Sequence, residues 1–164
     1  MQITASAALW FLPFVVPICL YTVYTDMAEM RIKNHAVVAL FGVFAVVGLI
    51  ALPLDVYLWR YLSLVVVLLA GILLNMGGAL GAGDAKFAAA AAPFIPLGDL
   101  RLVMVLFAAT LLAAYVAHRI AKHTGLRHIA PGWKSWQSGS KFPMGMALGG
   151  TLAIYLLLGV FQGA

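Results

Sequence analysis

Asp26, Glu29, Asp55, Asp84 and Asp99 are the only acidic side chains among 164 residues, so each needs a physical reason. Carboxylates that approach one another have a specific use. At close range both cannot ionise, so one keeps its proton as a general acid while the other polarises a water, the chemistry of an aspartic protease. Such a pair titrates as a unit, and no proton belongs to either member. Competing chemistries are poorly supplied. His118, His123 and His128 recur every five residues and do not share a helical face as paired zinc ligands would, so no metal is expected. Ser138 and Lys141 form an SxxK pattern, but Gly139 and Pro143 argue against the helical turn that this motif requires. Cys19 is the single cysteine, which excludes an internal disulfide and a CxxC site.

The question is therefore which elements could bring two acids together. The chain is 65% hydrophobic and 9% charged, with a mean hydropathy of +1.05, more hydrocarbon than a globule of this size can hide. An all-α integral membrane protein is expected, a bundle of about six transmembrane helices formed by residues 1–164 as one polytopic domain. Apolar runs bounded by charge mark spans at 6–24, 36–54, 61–76, 102–117 and 142–161, and a shorter alanine-rich piece at 84–97 is the sixth. The first 25 residues lack Lys and Arg and are followed by no small-residue cleavage site, so the N-terminus is read as mature. Pro13, Pro17, Pro93 and Pro96 are expected to set kinks.

Charge decides whether 84–97 crosses. If it does, and the N-terminus lies outside, eight cations (Arg31, Lys33, Lys86, Arg119, Lys122, Arg127, Lys134 and Lys141) face the cytoplasm, against Arg60 and Arg101 on the other side. If it does not, the tally becomes four against six and the bias disappears. Six crossings follow. The basic segment 119–141 is then a positive-inside anchor against anionic lipid, with Trp133 and Trp136 at the headgroups, and no nucleic-acid partner is implied.

This topology sorts the acids. Asp55 and Asp99 fall in outer turns, whereas Asp26 and Asp84 reach the same cytoplasmic edge from distant parts of the chain. Ionisable groups at membrane depth are expensive, and they are usually paired or functional. Before Asp84 runs Gly77-Gly78-Ala79-Leu80-Gly81-Ala82-Gly83, whose glycines permit positive φ and the close approach of another backbone, as a peptide substrate requires. Asp84 is equally placed to cap the helix that begins at Ala85. Asn75 is expected to hydrogen-bond a neighbouring helix. Two other functions fit the same residues: a small proton- or ion-coupled transporter that uses both aspartates, and a non-enzymatic scaffold in which the glycines only pack helices.

Asp26-Met27-Ala28-Glu29-Met30-Arg31-Ile32-Lys33-Asn34 resembles the first aspartate motif of the type IV prepilin peptidases, and Gly81-Ala82-Gly83-Asp84-Ala85-Lys86-Phe87 resembles their GxGD motif with its following lysine. Residues 141–149 are similar to the family's C-terminal segment. Lys33 and Met146 stand where the family commonly has proline, and the cysteine-rich insertion of bifunctional members is missing, so N-methylation is not implied. The resemblance is to the short, peptidase-only form associated with Tad or Flp pili. It implies an aspartic endopeptidase of the bacterial inner membrane with Asp26 and Asp84 as the cytoplasm-facing dyad and no cofactor. Gly81, Gly83, Lys86, Arg31 and Asn34 would support the motifs or the substrate, which would be a prepilin or pilin-like membrane protein.

Overall fold

The computed structural model describes residues 1–139 and 141–164, apart from the side chain of Leu126; Ser140, within the basic segment, lies outside the described residues. The chain is all-helical: α1 (Ala5–Glu29), α2 (Asn34–Ala51), α3 (Leu54–Met76), α4 (Ala82–Ala91), α5 (Leu100–His123) and α6 (Gly145–Gln162), joined by short loops and 3-10 turns. All but α4 are long and apolar enough to cross a bilayer. Their outward faces stay apolar, as Leu62, Val66, Leu69 and Leu73 along α3 and Val105 and Leu112 along α5 illustrate. Hydrocarbon, not water, is the solvent that such surfaces match.

Inside, Phe11, Phe44 and Phe94 pack edge to face and stacked, with Tyr57 and Tyr61 continuing the cluster. The most extensive helix–helix contact is that of α1 with α6. There Gly149 lets α6 approach Cys19, whose carbonyl oxygen would lie 3.1 Å from an added Cβ. Helix α5 leans on the other side of α6, where the Thr110 and Thr151 hydroxyls bond at 2.6 Å. Helix α1 runs through Pro13 and Pro17 as one element.

Helix α4 is too short to run the length of the bundle by itself. Ten residues span only about 15 Å, half of a hydrocarbon core of about 30 Å. The chain completes the distance as a 3-10 turn over Ala92–Phe94 and a non-helical stretch to a second turn at Leu97–Asp99. Irregular backbone at membrane depth survives only where protein covers it. Ala91, Ala92, Pro93, Phe94 and Pro96 are all buried, and the Arg60 guanidinium donates to the Pro93 carbonyl at 3.2 Å. Asp84 therefore lies at one end of the bundle beside the end of α1, and Asp99 at the other beside its start. The chain passes from end to end six times, as the charge tally required.

Candidate active site

Three segments converge at the end of the bundle where α1 stops. The last turn of α1 carries Asp26, the loop after α3 leads into Asp84 on α4, and the stretch before α6 closes the third side. Between them is a cavity of about 480 Å³, onto which both Asp26 and Asp84 open. Asp26 is buried, with 5% of its surface exposed, whereas Asp84 is half-buried.

Each acid is seated by a glycine. Asp26 Oδ2 accepts a 2.6 Å hydrogen bond from the Gly145 N–H at the start of α6. A Cβ on Gly145 would stand 2.9 Å from the Asp26 Cβ, so only glycine admits this contact. Asp84 is the third residue of α4, and its carboxylate turns back over the first glycine of the motif. A Cβ on Gly81 would lie 2.5 Å from Asp84 Oδ2. The helix N-cap is thus Gly81 and not Asp84, and the acid sits within the first turn, where the helix dipole favours negative charge.

The remaining motif residues are arranged differently from one another. Gly83 receives Ile32 of the first loop, whose Cβ would lie 3.3 Å from one on Gly83, and so the two aspartate motifs pack together through this position. Lys86 Nζ donates to Asn34 Oδ1 at 3.3 Å, tying α4 to the first turn of α2 instead of reaching Asp84. Arg31 is exposed in the loop between α1 and α2. Lys33 forms an ion pair with Glu29 one turn earlier. None of Gly83, Lys86, Arg31 and Asn34 lines the cavity, whereas Gly81 does. Asn75 donates to the Leu80 carbonyl at 2.7 Å, and so it shapes its own loop and not a neighbouring helix. Ser138 donates to the Ser135 and Lys141 carbonyls in a turn, with no helix to align it with the Lys141 amine.

Several cavity residues lay in stretches that the sequence marked by glycines or by resemblance, but none of them was singled out as lining a site. Leu80, Phe142 and Met144 supply apolar walls, and Lys141 a cation at the rim. Met30 lines the wall too, as the left-handed residue that ends α1, at φ 55°. A non-glycine in that conformation costs free energy and clusters at functional sites, but nothing in its side chain announces it. Gly145 sits in a segment that the sequence marked only by resemblance.

The arrangement leaves room for a water beside both acids in a partly enclosed recess whose lining is mixed polar and apolar. Among the described residues, no three His, Cys, Asp or Glu side chains converge where a metal ion would sit. A family model described as the type IV leader peptidase family matches residues 13–118, a stretch that contains both aspartates but not 141–149. No curated protein and no solved structure matches the chain.

Proposed function

The chain belongs to the type IV leader peptidase family, a multi-pass membrane peptidase family, and from that premise we propose that it is an aspartic endopeptidase whose dyad is Asp26 and Asp84. The observation that carries this reading is that two of only five acids, 58 positions apart, open onto one cavity. One aspartate takes a proton from a water as that water attacks the scissile carbonyl. The other, protonated, donates to the developing oxyanion; the first then gives the proton it took from water to the leaving amine, and the second recovers its own as the carbonyl re-forms. The Gly145 N–H holds Asp26 in orientation through this cycle, leaving its second oxygen for the water.

The substrate of this reading is a prepilin or pilin-like membrane protein, cut after the glycine that separates its basic leader from its hydrophobic helix. The cavity's position supports this choice. It lies at the end of the bundle and not at its middle, where a peptide bond just outside the bilayer would arrive. A coupled transporter more often places its acids near the midplane. The eight-to-two distribution of cations supports a cytoplasmic orientation of that end, and membership of this family supports a bacterial inner membrane. An exposed bond from Lys86 to Asn34 links the two aspartate motifs weakly, and Arg31, exposed beside them, would meet substrate.

Co-expression with a tagged candidate prepilin tests the proposal. Asp26→Asn and Asp84→Asn must each abolish conversion to the shorter product while the protein remains in the membrane. Processing that survives either substitution overturns the dyad.

A further inference from the structure

A second recess lies in the basic segment between α5 and α6. It has a volume of about 290 Å³ and is lined by Arg127, His128, Pro131, Trp136 and Gln137. The lining joins a guanidinium, an imidazole and a carboxamide, all able to donate hydrogen bonds, to an aromatic wall. Residues 119–141 contain five Lys or Arg and no acid, so nothing within the segment neutralises this corner.

The aromatic wall is held rigidly. Trp136 stacks on Trp133 at 5.7 Å and on the buried His118 at 5.2 Å, and its ring N–H donates to the Ala130 carbonyl at 2.8 Å. Trp133 in turn meets Tyr24 of α1 edge to face at 6.1 Å. The recess is therefore pre-shaped, and it sits level with the end of α1, where the bundle leaves the bilayer. Beside it Ile129 is 81% exposed, an apolar side chain with no protein cover among cationic neighbours. A soluble anion would match the donors but not Ile129; a phospholipid matches both, with its phosphate in the recess and its chains along the isoleucine.

We infer that the recess bounded by Arg127, His128 and Gln137 is a binding site for the phosphate of an anionic phospholipid headgroup. Arg127 supplies the planar fork that matches phosphate oxygens, His128 and Gln137 add donors, and Trp136 closes one side. The site is separate from the aspartate cavity, with which it shares no lining residue.

Native mass spectrometry of the full chain, released from nanodiscs containing equal amounts of phosphatidylglycerol and phosphatidylcholine, tests this directly and does not depend on peptidase activity. The wild type should retain phosphatidylglycerol, and R127Q/H128Q should retain about tenfold less. R101Q removes one cation from the opposite end of the bundle and should retain as much as the wild type. If R127Q/H128Q does not fold, Q137E decides, because it places a carboxylate in an exposed corner of the recess and should expel the lipid. Equal retention by the wild type and the recess variants overturns the site. So does an equal loss with R101Q, which would mean charge without a locus. Displacement of the lipid by millimolar inorganic phosphate would show a free-anion site and overturn the lipid assignment.

Discussion

The two ends of the bundle each bury an aspartate, and they treat it in opposite ways. At one end Asp99, 4% exposed, is saturated with donors. Its carboxylate accepts from the Gln2 N–H at 2.8 and 2.9 Å, from the Ile3 N–H at 3.1 Å and from the Tyr155 hydroxyl at 2.7 Å. These bonds tie the start of α1 to the start of α5 and to α6. At the other end Asp26 has one donor among the described residues, the Gly145 N–H, and opens onto a cavity shared with a second acid. A carboxylate held by three donors from distant segments fastens helices and is committed to that role. One that keeps an oxygen free beside a like charge is costly to maintain, and that cost is reasonable only where chemistry uses it.

Substitutions should separate these roles along two axes, turnover and stability. Asp26→Asn and Asp84→Asn are expected to lower cleavage by about 10³-fold, within the range of general acid–base catalysis, and to leave the thermal midpoint in detergent at or above that of the wild type. A midpoint that falls as far as turnover would erase the contrast between the ends. Gly145→Ala drives a methyl against Asp26 and should cost about 10²-fold in turnover through misplacement of the acid. Its unfolding midpoint should move less than its rate, as read by comparing kcat with a melt on the same sample.

The opposite end should give the reverse signature. Asp99→Asn sets an amide N–H against backbone donors and should destabilise by roughly 3 kcal/mol, while turnover per folded molecule stays near that of the wild type. Tyr155→Phe removes one bond to the same carboxylate and should cost about 1–2 kcal/mol with no change in rate. The smallest effect belongs to Lys86→Met. Its exposed 3.3 Å bond to Asn34 is worth under about 1 kcal/mol, so melting and cleavage should both stay within twofold of the wild type. A large loss of turnover there would place Lys86 in the cavity's chemistry after all.

Much of the fold was legible because bilayer-spanning helices announce themselves by length and apolarity. The expected spans 6–24 and 142–161 lie largely within Ala5–Glu29 and Gly145–Gln162, and the charge tally correctly required the short alanine-rich piece to pass from end to end. What the tally did not reveal is how that piece crosses. Its helix ends at Ala91, and Arg60, counted in sequence as an outer cation, donates to the backbone after the break. The glycines were legible as places of close approach, but not what approaches them. Gly81 receives the carboxylate of Asp84 and Gly83 receives Ile32, both from within the chain, where the sequence suggested room for a substrate.

By itself the sequence determined quantities that depend on composition and order: an all-helical membrane protein, six passages, two aspartates at one edge and two at the other. Hydropathy and charge act residue by residue against a flat solvent boundary, so a linear reading recovers them. The tertiary structure alone decided which acid is saturated and which is left open, because that depends on donors far away in the chain. Tyr155 lies 56 positions from Asp99, and Gly145 lies 119 from Asp26. A hydrogen bond acts over about 3 Å, and only packing sets which residues come within that reach.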